Sequence, residues 1–257
     1  MKIEPIAHVP ATSQSAPVRY FIADLHLDGL DSERAVAFRN FLKRLGAEAA
    51  ERPVELYIIG DLFEFWYEYR KAIFEIYRAD LESLEAAAKA GVKIFLFFGN
   101  RDFIYGKYVR RRFGATVLGD GDAVTLNDGR PIWLEHGDLL CTADTRYLRF
   151  RSLVRSLPMK AVLRLMPWVF ARNAIDKVRK KAAADKASKP AKILEIDLHA
   201  ARRRLEEKGC KVLICGHTHK ALSEDLGAGL RLIVLPPWCE KPAGMVDDGA
   251  VLKPFEL

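Results

Sequence analysis

Three short apolar runs, Tyr20 to Ala23, Val54 to Ile59 and Val92 to Phe98, constrain this chain most. They are rich in Ile, Val, Leu and Phe, and their length suits strands buried within a fold. Between them, Ser32 to Glu51 and roughly Tyr67 to Ala90 carry apolar residues at three- and four-residue spacing, the stripe that an amphipathic helix buries. The opening therefore reads β-α-β-α-β, which predicts a layered α/β fold. Shorter strands are expected at about Ala123 to Leu126 and Ile132 to Leu134, and Val212 to Cys215 and Leu230 to Leu235 resume the pattern. With 257 residues, half of them hydrophobic, the chain can bury most of its apolar surface, which excludes a disordered or coiled-coil reading. Nothing approaches the roughly 18 uninterrupted apolar residues of a spanning helix, so membrane contact is expected to be peripheral.

Polar residues gather where these strands should end. In order they are Asp24-Leu25-His26, Gly60-Asp61, Gly99-Asn100-Arg101-Asp102, His136-Gly137-Asp138 and Gly216-His217-Thr218-His219. Strand ends in an open α/β sheet face one crevice, so residues far apart in the chain can converge there. Carboxylate, imidazole and amide oxygen suit borderline and hard divalent ions, and in D-x-H and H-x-H alternate side chains point the same way. Four of the six histidines fall in these motifs. G-D and G-N alone are ordinary turn dipeptides, and a lone D-x-H is most often a turn carboxylate beside a surface histidine. The weight lies in five such motifs at successive strand ends.

The charge is unevenly spread. Arg146 to Lys181 holds eleven Lys and Arg against one acid, Asp176, a local +10 that exceeds the +7 of the whole chain. Large apolar residues interleave with these cations, among them Met166, Trp168 and Phe170. Such a segment suits a helix lying in an anionic membrane interface or lining an acyl groove; the alternative is a helical hairpin packing its apolar stripe on the core. The cations would also attract nucleic acid, but no stacking or groove-reading element accompanies them, and no nucleic-acid partner is expected. Cys141, Cys210, Cys215 and Cys239 form no CxxC pair and read as reduced core thiols, neither a disulfide framework nor a zinc site. The first residues resemble neither a signal nor a transit peptide and read as a flexible lead-in.

The ordered pattern D-x-H, G-D, G-N, H, G-H-x-H from Asp24 to His219 resembles the calcineurin-like metallophosphoesterase superfamily. Within it, FIADLHLD, GDLFEFW, GNRDF, HGDLLCTAD and GHTH look like the UDP-2,3-diacylglucosamine diphosphatase family of lipid A biosynthesis. The resemblance implies an α/β fold with a two-sheet β sandwich flanked by helices and a helical cap inserted in it. The expected division is a lead-in over 1–18, a core over 19–145 and 206–257, and a cap over 146–205. It also implies two divalent metal ions, manganese in that family, one held by Asp24, His26, Asp61 and His219 and the other by Asp61, Asn100, His136 and His217, with Asp61 bridging. Two such cations can lower the pKa of a shared water and neutralise charge growing on phosphorus. Asp144 and Lys189 would be substrate contacts, with Asn100, Arg101 and His217. Asp102 and Asp138 are candidate supporting carboxylates that orient histidine ligands, with a simple turn role as the alternative.

The expected reaction is hydrolysis of the pyrophosphate bond of UDP-2,3-diacylglucosamine to UMP and 2,3-diacylglucosamine 1-phosphate. Many superfamily members carry G-N-H, whose histidine serves as a proton donor. Here the position is Arg101, which donates no proton at neutral pH but can pair bidentately with a phosphoryl oxygen. That suits a phosphate leaving group, whose second pKa is about 6, better than an alkoxide. An arginine that clamps any phosphate is the plainer reading. The chain departs from other members at Ala182, Lys186 and Leu235-Pro236-Pro237-Trp238-Cys239. The alternatives are a hydrolase of another nucleotide diphosphate or phosphodiester, or a non-catalytic metal-binding scaffold. The expected setting is the cytoplasmic face of an anionic inner membrane, with a UDP-linked diacylated glucosamine lipid as partner and no obligate protein partner.

Overall fold

Period-two alternation in the first strands decides the layering. In the computed structural model, which describes residues 6–7, 16–170, 173, 177 and 195–257, Val18, Tyr20 and Ile22 pack toward helices while Phe21 and Ala23 pack toward a second sheet. The strands are β1 (Ile6–Ala7), β2 (Val18–Ile22), β3 (Val54–Ile58), β4 (Lys93–Phe97), β5 (Thr116–Gly119), β6 (Gly121–Thr125), β7 (Pro131–Glu135), β8 (Val212–Cys215), β9 (Leu222–Gly227), β10 (Leu230–Val234), β11 (Ala243–Asp247) and β12 (Val251–Glu256). The helices are α1 (Glu33–Glu48), α2 (Ala72–Ile76), α3 (Arg78–Lys89), α4 (Lys107–Phe113), α5 (Thr145–Val154), α6 (Leu157–Leu165) and α7 (Leu198–Lys208). Lys189, Ala182 and Lys186 lie outside the described residues.

One sheet has the order β1-β12-β11-β2-β3-β4-β5 and the other β6-β7-β8-β10-β9. β2 to β5 run parallel, as do β7, β8 and β10. Phe21, Tyr57, Ile59, Phe97 and Met245 of the first sheet meet Ile132, Leu134, Val212, Ile214 and Ile233 of the second. On the outer face of the first sheet, α1 contributes Phe38, Phe41, Leu42 and Leu45, and α3 contributes Leu81 and Leu84. On the second, α7 packs Ala201 and Leu205 against Leu213 and Leu232. The result is the expected α/β architecture of two mixed sheets flanked by helices. The boundary expected at 205 falls inside α7, and Ile6–Ala7 of the expected lead-in pairs with β12.

Differences from the sequence reading have local causes. The helix expected from Tyr67 begins at Ala72 and breaks at Tyr77 (φ −103°), whose buried ring packs on Phe63 and whose hydroxyl accepts the Phe65 N–H at 3.3 Å. β9, β11 and β12 are absent from that reading because β9 is largely polar, Gly244 sits in β11, and Pro254 in β12 removes a ladder donor. No described helix is long and apolar enough to cross a membrane.

Trp238 joins the loop after β10 to the core: it is fully buried, lies 5.3 Å from the Phe41 ring and donates from Nε1 to Arg34 O at 3.3 Å. Trp238→Ala should destabilise the protein by roughly 3–5 kcal/mol, read as a lowered urea midpoint with an unchanged slope. A midpoint equal to wild type would show that this loop is not part of the core.

Candidate metal centre

Because β2, β3 and β4 are parallel, the residues that follow them leave the sheet at one edge, and Asp24, Asp61 and Asn100 arrive there together. His136 follows β7, and His217 and His219 follow β8, the parallel neighbour of β7 in the second sheet. Backbone bonds knit the loops: His26 N donates to Asp61 O at 2.9 Å, Gly216 N to His136 O at 2.9 Å and Cys239 N to Asp24 O at 3.2 Å. Asp24, His26, Asp61, His217 and His219 all have φ between 49° and 75°. Left-handed backbone at non-glycine residues costs of order 1–3 kcal/mol each and persists where the surroundings impose it. Gly99 and Gly216 are required by close approach: a Cβ would lie 2.1 Å from Asp61 Oδ1 at the first and 2.4 Å from Asp24 Oδ2 at the second.

All seven expected ligands converge, in two groups that meet at Asp61. In one, His26 Nε2 and His219 Nε2 are 3.0 Å apart, with His26 Nε2 3.7 Å from Asp61 Oδ2 and His219 Nε2 3.7 Å from Asp24 Oδ1. In the other, His136 Nε2 is 3.1 Å from Asn100 Oδ1 and 3.7 Å from Asp61 Oδ2, and the His136 and His217 rings lie 5.1 Å apart. Asp24 and Asp61 are buried carboxylates. Burial, aided by Asp61, pushes the Asp24 carboxyl up; burial also opposes ionisation of Asp61, but His136, His26 and Arg101 outweigh it and hold Asp61 down. Asp24 Oδ1 is buried without a hydrogen-bond partner. An orphaned carboxylate oxygen facing two imidazole nitrogens is a donor set that fits a divalent cation.

The neighbouring residues each have partners of their own. Asp102 accepts the backbone N–H groups of Gly99 and Asp61, both at 3.0 Å, that of Phe63 at 3.2 Å, and the Tyr105 hydroxyl. These bonds shape the Asp61 loop, the turn role given as the alternative, and burial beside Asp61 pushes the Asp102 carboxyl up to about 7. Asp138 accepts from Tyr147 Oη at 2.5 Å and Arg151 Nε at 2.7 Å. Burial opposes its charge, but His136, Arg151 and His217 hold its carboxyl far below the usual range. Asp144 is buried and caps α5, accepting from Tyr147 N at 3.1 Å. Arg101 reaches over the centre, its N–H donating to Asp61 Oδ1 at 3.0 Å and its guanidinium pairing with Glu64.

Sequence reasoning missed Glu64, which also lies 3.4 Å from His26 Nδ1, although its place in Gly60-Asp61-Leu62-Phe63-Glu64 was the available signal. It missed Tyr147, whose ring lies 6.3 Å from that of His217. Cys239 is a correction: it is only partly buried, and its Sγ lies within 4.8 Å of a ring nitrogen of both His26 and His219, so it is not a core thiol. The three apolar candidates separate. Met166 and Trp168 are half-buried against the Tyr67 and Ile104 cluster, while Phe170 is 66% exposed.

Residues 19–221 match the family model of the calcineurin-like phosphoesterases. The chain is 36% identical over 221 residues to the UDP-2,3-diacylglucosamine hydrolase of Pseudomonas aeruginosa, covering 85% of this chain and 90% of that protein. It is 36% identical over 241 residues to the protein of the same name from Azotobacter vinelandii, covering 92% and 98%. With the one from Neisseria meningitidis serogroup B the identity is 32% over 240 residues, covering 92% and 98%. This chain belongs to the calcineurin-like phosphoesterases, and among them to the family of the UDP-2,3-diacylglucosamine hydrolases.

Proposed function

We propose that the protein hydrolyses the pyrophosphate bond of UDP-2,3-diacylglucosamine, releasing UMP and 2,3-diacylglucosamine 1-phosphate. The observation that carries this is the two groups of ligand side chains that meet at Asp61, in a chain whose relatives bear that substrate's name. Asp24, His26, Asp61 and His219 would hold one divalent ion, and Asp61, Asn100, His136 and His217 the other, with manganese as the metal. When bound, the pair would lower the pKa of a water and neutralise charge developing on phosphorus. Arg101, exposed by about a third on its side chain, would exchange part of its pairing with Glu64 for the transferred phosphoryl group. Its permanent charge stabilises the equatorial oxygens without supplying a proton, which a phosphate leaving group does not need. Asp144, at the start of α5, and Lys189 would contact the remainder of the substrate.

We assign the cap role to α5, α6 and the residues that follow. Leu157, Leu165, Val169 and Phe170 are each more than 60% exposed, beside the exposed Arg164. An apolar surface edged with cations suits the anionic cytoplasmic face of an inner membrane, from which the acylated substrate would be drawn.

Metal-stripped protein should release UMP only when a divalent ion is restored, and in heavy-oxygen water the label should enter UMP. Metal-independent release would sink the reading, and label in the sugar phosphate would refute the proposed site of attack. Arg101→Ala should lower kcat by about 10²–10³-fold, and Arg101→Lys should recover little, because a point charge does not reproduce a bidentate fork. Recovery by lysine to near wild-type kcat would reduce Arg101 to a charge. Replacing Leu165 and Phe170 together with serine should weaken binding to anionic vesicles and leave hydrolysis of a short-chain substrate unchanged; equal loss of both would assign the two side chains to packing.

A further inference from the structure

Cys239 stands apart from the other cysteines. Cys141, Cys210 and Cys215 are buried, whereas Cys239 is partly exposed at the metal-side edge of the sheets. The segment that carries it is fixed: Trp238 is buried, Trp238 N donates to Ala23 O at 3.3 Å, and Cys239 N donates to Asp24 O at 3.2 Å. These bonds hold the sulfur beside the segment bearing two of the expected ligands. The Cys239 Sγ and one ring nitrogen each of His26 and His219 lie mutually within 4.8 Å. Neighbouring ligands of one cation bound at about 2.0–2.3 Å sit roughly 3–4 Å from each other, so an inward shift of about 1 Å brings the three onto one ion. A second observation points to the same place: Asp24 Oδ1, fully buried and without a hydrogen-bond partner, lies 3.7 Å from His219 Nε2 and 3.9 Å from His26 Nε2.

We propose that Cys239 is a sulfur ligand of the cation held by Asp24, His26 and His219, and that it raises the affinity of this one position for softer ions such as zinc relative to a site of nitrogen and oxygen donors alone. The inference rests on the metal-centre reading above and deepens it. One sulfur would then join two imidazole nitrogens and the carboxylate oxygens of Asp24 and Asp61, with the thiol proton released to solvent as the bond forms. Asn100, His136, His217 and Asp61 offer only nitrogen and oxygen, so the other position keeps its tolerance for harder ions. The two halves of the centre would then differ in metal preference, with Asp61 common to both.

Cobalt(II) separates this inference from the reading beneath it. Metal-stripped full-length protein titrated with Co²⁺ should develop visible ligand-field absorption, which reports an ion in the centre, and a near-ultraviolet sulfur-to-cobalt charge-transfer band, which reports the thiolate. Cys239→Ser should retain the first and lose the second, and its preference for Zn²⁺ over Mn²⁺ in competition should fall by roughly 10- to 100-fold. Ligand-field absorption without charge transfer in the wild type would overturn the role of Cys239 and leave the metal centre standing. A charge-transfer band that survives in Cys239→Ser would overturn it too, by assigning the sulfur elsewhere. Absence of both bands in the wild type would overturn the metal centre itself, and this proposal with it. Should Cys239→Ser fail to fold, Cys239→Ala is read in the same way, and absence of the charge-transfer band in the wild type overturns the proposal without either variant.

Discussion

Two carboxylates, Asp24 and Asp61, are buried side by side at the ends of neighbouring parallel strands, and the arrangement around them follows from that. Withdrawing one carboxylate from water costs several kcal/mol even after relaxation. Two within 4.8 Å of each other are worse, and the opposite directions in which their proton affinities are driven express the conflict. The backbone adds to the cost, because both aspartates and three of the surrounding histidines, His26, His217 and His219, sit in left-handed conformations. Together these terms rival the 5–15 kcal/mol that keeps a typical domain folded. Cations that bind the native state alone offset them by mass action, so occupancy of the centre and stability of the fold are linked.

The supporting structure spends its polar groups on that edge. Asp102 gathers three backbone N–H groups and so shapes the turn that presents Asp61, while Glu64 joins His26 to Arg101. At the other side, α5 is fastened to the same loops. Arg151 pairs with Asp138 and Asp120, and Arg155 donates to Gly99 O at 2.6 Å while lying over the Phe103 ring at 4.9 Å. Part of the basic surplus is thus directed inward, holding a helix against the centre. Tyr67 and Arg70 do the same for α6 by donating to the carbonyls of Leu163, Arg164 and Met166. A shift of α5 would be felt at Gly99 and Asp138, next to the candidate ligands.

Much of this was legible in the chain. The strands β2, β3, β4, β7, β8 and β10 were evident because each is dominated by apolar residues, most of them buried. The metal candidates were legible because ligands at strand ends leave their identity and spacing in short motifs. Polar or proline-bearing strands at sheet margins were not, since pairing and not propensity makes them strands. Nor were Glu64 and Tyr147, whose partners are distant in sequence: a glutamate and a tyrosine without a motif acquire meaning only from what they touch.

The sequence by itself determined the layered α/β class, the order of the motifs and the chemistry of their side chains, because hydrophobic period and ligand type are properties of local strings. Only the tertiary structure decided that Asp61 stands between two groups of candidate ligands, that Asp102 serves the backbone turn presenting Asp61, and that Trp168 faces inward while Phe170 faces out. It also decided that one of four similar cysteines sits beside two histidines. These are matters of distance between residues up to about two hundred positions apart, fixed by strand register and loop closure, which local composition does not encode.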